Sequence, residues 1–265
     1  MAQNHIAGKV ILVTGAANGF GRLICEKAAT LGARIVGIDI NTKALKDMTE
    51  TITSSGGIAS ARVADVRNLE EVKAAVARAV ETYGRLDVMI KNAGTMPLAF
   101  FSDHLLAAEA WSRCIDINIK GVLNGILAAY DQMIAQGRGH VVNISSIYGN
   151  FPVVGAAVYG ATKAAVNFIS ESLRMESQAK IKVTVVKPTG VPTTQLASGI
   201  INQAAVIGIF GQNTGSYQER IQAIFLGNPN PGERIRKTST MRCCLRTILP
   251  IRPSTQSISL GGLDW

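Results

Sequence analysis

The stretch Val10-Ile-Leu-Val-Thr14-Gly15-Ala-Ala-Asn18-Gly19-Phe20-Gly21 decides the fold of this chain. Its first five residues are apolar or β-branched without alternation, the pattern of a strand covered on both faces. Beyond the glycines, Leu23, Ile24, Ala28, Ala29 and Leu31 recur at helical spacing. A strand, a glycine-rich turn and a helix N-terminus together make an anion site. Glycine lets the backbone approach a pyrophosphate, and the free N–H groups and dipole of the helix favour its charge. The glycines fall as G-x-x-x-G-x-G, which differs from the G-x-G-x-x-G of the commoner dinucleotide fingerprint.

Working outward, the next apolar run, Ala33 to Asp39, ends in an acid. A carboxylate at that place accepts hydrogen bonds from both ribose hydroxyls of an adenosine and repels a 2′-phosphate, which predicts NAD over NADP. Arg22 and Lys43 are the nearby cations that could oppose this preference. Apolar runs then alternate with helical patterns. They predict strands at 9–14, 34–39, 58–64, 86–91, 139–145 and 181–187, and helices at 20–31, 42–55, 68–83, 107–136 and 158–179. Such alternation gives an α/β fold, a doubly wound parallel sheet of Rossmann type in a single domain. Right-handed crossovers restrict its winding, and ligands should meet at the carboxyl ends of the strands.

Tyr159 and Lys163 stand four residues apart in a helical stretch, and Ser146 lies thirteen residues before the tyrosine. Residues at i and i+4 share a helix face. A free phenol titrates near ~10, too high for a base at neutral pH, and a neighbouring cation lowers it. Ser146 supplies a hydroxyl to hold a carbonyl or alcohol oxygen against that phenol.

With these residues the chain resembles the short-chain dehydrogenase/reductase family in its single-domain form, over about residues 6–190. Further motifs carry the resemblance. Asp65-Val66 stands where the family contacts adenine. Asn92-Ala93-Gly94 stands where it supports the sheet and a cofactor ribose. Asn118 lies where an asparagine orders a water chain to the catalytic lysine. Two departures stand out. The usual Asn-Asn-Ala-Gly appears with Lys91 in first place, putting a cation at the end of the fourth strand. The usual Pro-Gly appears as Pro188-Thr189-Gly190, followed by Val191 and by Thr193 or Thr194, the match for a threonine on the nicotinamide carboxamide. The resemblance implies a cofactor site of Gly15, Asn18, Gly19, Phe20, Gly21, Asp39, Asp65, Val66, Asn92, Ala93, Gly94, Tyr159, Lys163 and the segment from Pro188 to Thr193. It implies catalysis by Asn118, Ser146, Tyr159 and Lys163. Tyr159 is then the acid or base, with Lys163 lowering its pKa and binding the nicotinamide ribose.

Composition agrees. The 265 residues suit one domain, and 47% hydrophobic against 17% charged residues are globular values. No apolar run reaches membrane-spanning length, and Met1 to Lys9 lacks the apolar segment of a secretory signal. Cys25, Cys114, Cys243 and Cys244 show no metal spacing, so no metal and a reducing cytoplasm are expected. Nearly half of the net charge of +9 lies in the tail, where residues 233–265 carry six basic and two acidic side chains, and the rest is dispersed. There is no aromatic-studded basic groove, which argues against a nucleic-acid partner.

Residues 189–230 correspond to the family's substrate lid, and Ser198 to Phe210 is apolar enough for a short helix over the pocket. Met96, Tyr148 and Phe151 are the apolar candidates facing a modest alcohol or ketone. The tail 233–265 has neither a helical stripe nor strand alternation, and both a frame change and simple divergence account for it. Ala161, Ala164, Ala165, Val166, Phe168, Ile169 and Leu173 surround much of the helix after Tyr159, so a homo-oligomer is expected, a tetramer with a dimer as the alternative. The functional expectation is an NAD-dependent secondary-alcohol dehydrogenase or ketoreductase. Its rivals are an NADP-preferring carbonyl reductase, an epimerase or dehydratase of the same fold, and a non-catalytic dinucleotide sensor.

Overall fold

The computed structural model describes residues 5–188 and 195–210. Thr189, Gly190, Val191, Thr193, Thr194, the lid beyond 210 and the tail 233–265 lie outside the described residues. Six strands, β1 (Val10–Thr14), β2 (Arg34–Asp39), β3 (Ile58–Val63), β4 (Val88–Lys91), β5 (Gly139–Ile144) and β6 (Ile181–Val186), form one parallel sheet in the order β3-β2-β1-β4-β5-β6. The helices are α1 (Gly19–Thr30), α2 (Thr42–Ser54), α3 (Leu69–Tyr83), α4 (His104–Ile115), α5 (Gly121–Ala135), α6 (Ala157–Glu176) and α7 (Ala205–Phe210). The expected doubly wound α/β sheet is present.

Strand β1 shows why both faces had to be apolar. Ile11 and Val13 join a core with Ile24, Ala28, Leu45 and Met48 of α1 and α2. Val10 and Leu12 enter a second core with Val72, Val76, Ile126 and Val166 of α3, α5 and α6. Side chains alternate along a strand, so a sheet covered on both faces needs an unbroken apolar run. The order of strands reverses between β1 and β4, and there the chain places its glycine turn and Asn92.

Boundaries shift by one or two residues in most elements, but two differences matter. The expected helix 107–136 begins three residues earlier and is divided by a π-turn at Asp116–Lys120. The early start follows a 3-10 turn at Phe101–Asp103, closed by Asp103 accepting from the Phe100 N–H (2.8 Å). The π-turn bonds the Gly121 N–H to the Asp116 carbonyl, and this extra residue in the helix goes with an Asn118 that is buried. The expected lid helix from Ser198 to Phe210 is also shorter. A 3-10 turn covers Gln195–Gly199 and α7 starts only at Ala205, because Asn202 turns the chain by accepting from the Ala204 N–H (3.0 Å). The Ile201 and Asn202 N–H groups donate to the Leu98 carbonyl at 3.0 Å each, fastening this segment to the loop after β4.

Lys91 does end β4, as its motif suggested, but it is buried there rather than solvated. It is 2% exposed, its stem fills the space left by Gly125 of α5, and its Nζ has no hydrogen-bond partner among the described residues. A Cβ at Gly125 would stand 2.7 Å from the Lys91 Cδ. Burial pushes the amine well below the ordinary lysine range.

Candidate active site

The N-terminal end of α1 is built differently from the next two helices. Asn41 caps α2 and Asn68 caps α3 through their side chains, whereas Asn18 makes no side-chain cap on α1. The first turn of α1 also holds no acidic residue. Helix N-terminal N–H groups without a cap are anion donors, so this end is left open to a phosphate. Gly15 and Gly19 have φ of 65° and 54°, the left-handed region that favours glycine. At Gly21 a Cβ would fall 1.9 Å from the Gly15 carbonyl oxygen, so the turn closes only around glycine. Phe20 packs at the edge of the core beneath. This cradle fits a dinucleotide.

The ends of β1 and β4 are stitched together. The Asn92 and Ala93 N–H groups both donate to the Thr14 hydroxyl (3.0 Å each), and the Asn92 amide donates to the Thr14 and Gly15 carbonyls (3.1 and 3.0 Å). Asn92 thus holds the glycine turn against the sheet. Asp39 clasps the same turn from the other side, accepting from the Ala17 N–H (3.0 Å) and the Asn41 N–H (2.9 Å). Two carboxylate oxygens offer about four acceptor sites, so both retain capacity for a ribose. Arg22, the cation that could oppose this reading, is held by Glu26 (2.8 Å) and Thr51 (3.1 Å).

Around Asp65-Val66 the backbone is pinned. The Asp65 N–H donates to Glu71 (2.7 Å), the Val66 carbonyl accepts from Asn124 (2.8 Å), and Gly121 leaves room for the Val66 side chain. Arg67 grips the Asp65 carboxylate at 2.6 Å and, chiefly through its hydrogen bonds, keeps it below the usual carboxylate range.

Ser146, at the end of β5, Tyr159 and Lys163, both on α6, and Asn118 are all buried. The Ser146 hydroxyl accepts from the Tyr148 N–H (3.3 Å) and stands close enough to the Tyr159 phenol to favour its ionised form. Lys163 Nζ donates to the Ile144 carbonyl (2.9 Å) and lies 5.7 Å from the centroid of the Tyr159 ring. Here the electrostatics differ from expectation. Burial pushes the phenol up to about 12, outweighing the influence of Ser146, and it pushes Lys163 down to about 8. Desolvation is the largest influence on both groups in this arrangement.

Gly94 opens the space between the lysine and the asparagine. A Cβ there would lie 3.2 Å from Asn118 Oδ1 and 3.7 Å from Lys163 Nζ. Pro188 meets the site from β6, its carbonyl accepting from the Ile147 N–H (3.2 Å). Met96 is half-buried beside Leu98, Ala156 and Ala205, while Tyr148 and Phe151 pack edge to face at 6.3 Å. The three sequence-predicted substrate residues therefore lie on the two loops that flank Ser146 and Gly94. Sequence reading missed Thr14, Thr95, Cys114, Asn124 and Thr162, which hold the site residues in place. Nothing in their spacing marks Thr14, Thr95, Asn124 and Thr162, since each reaches its site residue across a long stretch of chain.

Among the described residues no cluster of His, Cys, Asp or Glu is suited to a metal ion. No helix among them is long and apolar enough to cross a membrane.

A family model described as short chain dehydrogenase matches residues 9–204. An uncharacterized oxidoreductase of Listeria innocua is 40% identical over 194 residues, covering 72% of this chain and 77% of that protein. A 2,5-dichloro-2,5-cyclohexadiene-1,4-diol dehydrogenase of Sphingobium indicum is 34% identical over 191 residues, covering 72% and 76%. A crystal structure of a metagenomic short-chain oxidoreductase in complex with NADP superposes with a TM-score of 0.65, at 32% identity over 70% of this chain and 84% of that one.

Proposed function

Because this chain belongs to the short-chain dehydrogenase/reductase family, we propose that it is an NAD-dependent oxidoreductase interconverting a secondary alcohol and its ketone. The observation that carries the reading is the meeting of Ser146, Tyr159 and Lys163 beside the open N-terminal end of α1, where strand order reverses. When bound there, the nicotinamide dinucleotide supplies hydride chemistry. Gly15, Asn18, Gly19, Phe20 and Gly21 hold its pyrophosphate end, Asp39 its adenosine ribose, Asp65 and Val66 its adenine, and Asn92, Ala93, Gly94 and Lys163 the remaining ribose. Pro188 adjoins the nicotinamide end, and Thr189, Gly190, Val191 and Thr193 complete that assignment.

Ser146 holds the substrate oxygen against the phenol, and Tyr159 gives or takes the proton at that oxygen. A phenol near 12 is already protonated at neutral pH, so it is ready as an acid for ketone reduction. As a base for alcohol oxidation it needs alkaline conditions. Asn118 Oδ1 and Lys163 Nζ both lie near Gly94, and in this reading Asn118 supports a relay water to the lysine. Met96, Tyr148 and Phe151 favour a modest apolar substrate, and a ring-borne hydroxyl like that named for the Sphingobium relative suits the two aromatic faces. The NAD preference rests on Asp39 and on the engagement of Arg22 with Glu26. The NADP in the related crystal structure favours the second reading, an NADP-preferring carbonyl reductase.

Location in a reducing cytoplasm and assembly as a homotetramer complete the proposal. On α6, Val166 and Leu173 are buried against the sheet, while Ala161, Ala164 and the 77% exposed Phe168 face away from it; Leu123 and Leu127 of α5 are exposed as well. A turnover screen with NAD and NADP over secondary alcohols and ketones tests the function. Dinucleotide binding without turnover on any of them would instead mark a sensor, and co-purified dinucleotide would mark an epimerase.

A further inference from the structure

Asn202 stands in the turn before α7, and each of its polar groups is engaged. Its N–H donates to the Leu98 carbonyl (3.0 Å), and its own carbonyl accepts from the Ala205 N–H (3.0 Å). In the side chain, Oδ1 accepts from the Ala204 N–H (3.0 Å), which makes the turn, and Nδ2 donates to Asp103 Oδ2 (2.8 Å). That same Oδ2 accepts from the Phe100 N–H (2.8 Å) and closes the 3-10 turn ahead of α4. One carboxylate oxygen thus joins two segments whose linked residues lie 99 positions apart.

The segment held in this way borders both loops that carry the substrate candidates. Ile200, Ala205 and Val206 pack with Met96 and Leu98 in a third core, separate from the two that cover the sheet. A Cβ at Gly199 would stand 3.1 Å from the Met96 carbonyl oxygen and 3.2 Å from Thr95 Oγ1, so the segment lies against the backbone that follows Gly94. On its other side a Cβ at Gly155 would fall 2.6 Å from the Ala205 Cβ, so α7 begins against the loop that carries Tyr148 and Phe151.

We propose that Asp103 and Asn202 are positioning residues for the substrate: their hydrogen bond latches residues 199–206 as a standing wall beside Met96. The bonds to Leu98 join backbone to backbone and place the start of the segment. The third core has three buried members, Leu98, Ala156 and Ala205, and is small. A hydrogen bond to a carboxylate is roughly twice as strong as a neutral one, so this bond is a large share of what keeps the segment closed.

The test compares Asn202→Ser and Asn202→Asp with the parent. Serine keeps a short acceptor for the Ala204 N–H and does not reach Asp103. Aspartate keeps that acceptor and sets a second carboxylate against the first. The first arm needs no turnover. Hydrogen exchange of the peptide 198–206, where the amides of residues 201 and 202 are held by Leu98, should quicken by about 10- to 100-fold in both variants, the worth of one hydrogen bond to a charged group. Peptides from β1, β4 and α6 should keep the parent's protection. Adding Asp103→Asn to Asn202→Asp removes the like charges and offers an amide hydrogen to the new carboxylate, so exchange should slow again by at least about 3-fold. The second arm rests on the oxidoreductase reading above. The KM for alcohol or ketone should rise about 5- to 50-fold, with kcat and the KM for dinucleotide each changed by less than about 3-fold, the pattern of lost ground-state binding. A merely structural role would lower the active fraction and leave the substrate KM alone. Unchanged exchange of 198–206 in both variants overturns the latch. So does a loss of protection that spreads to β1 and α6, because the pair would then hold the fold and not the segment. Faster exchange with an unmoved substrate KM overturns the positioning role. If Asn202→Asp does not fold, Asn202→Ser carries both arms. If the parent turns over no alcohol or ketone, the oxidoreductase reading fails by itself and the exchange arm decides the latch.

Discussion

Replacing Lys91 by methionine should stabilise the protein, and the gain should shrink as pH rises. Lys91 is buried, its Nζ has no partner among the described residues, and burial holds the amine well below the ordinary lysine range. In the unfolded chain the same amine titrates near ~10.4. Between these two values the unfolded state binds one proton more than the folded state, so folding must expel it. The folded-state pKa is depressed, so the charge penalty is absent above the unfolded value. It grows as pH falls and is complete once the folded value is passed. Within that window each pH unit changes the folded-to-unfolded ratio tenfold, about 1.4 kcal/mol. Methionine keeps an unbranched stem for the space against Gly125 and carries no titrating group. Urea unfolding of the parent and Lys91→Met at pH 8 and pH 9 measures the effect. The difference in unfolding free energy should fall over that unit, by at most about 1.4 kcal/mol, with the variant the more stable at both. A difference that does not depend on pH, or a less stable variant, refutes the argument, because the amine would then be charged and partnered in the fold.

Tyr159→Phe should lower turnover by roughly 10²–10⁴-fold, the scale of general acid–base catalysis, and leave dinucleotide binding nearly intact by fluorescence titration. In the parent, oxidation should accelerate up to strongly alkaline pH while reduction holds steady at neutral pH, because the phenol sits near 12. A neutral optimum for oxidation would contradict this. Asp39→Ala should weaken NAD binding and relax discrimination against NADP in kcat/KM, an idea that fails if the parent already prefers NADP. Light scattering on a sizing column should give a mass near four times the 28.1 kDa of one chain, whereas a fully active monomer would contradict the exposed faces of α5 and α6 as an interface.

Much of this molecule could be read along the chain because its signals are local. The unbroken apolar run Val10–Thr14 implies a strand covered on both faces, the three glycines imply a turn that closes on backbone, and Tyr159 and Lys163 share a helix face by spacing alone. What the chain could not give is which polar groups meet across elements. Thr14 reaches Asn92, Asn124 reaches Val66, and Thr162 reaches Asn118 only after the layers pack, and no periodicity encodes those pairings. The π-turn was hidden for the same reason, since the apolar spacing of 107–136 describes one long helix with or without an added residue. Lys91 looked like a cation at a strand end, and only the absence of a side chain at Gly125 reveals where its stem goes. The protonation of Tyr159 and Lys163 also belongs to the tertiary structure. Sequence neighbours supply the opposing charges, but desolvation is a property of the assembled layers, and at this site it is the larger effect.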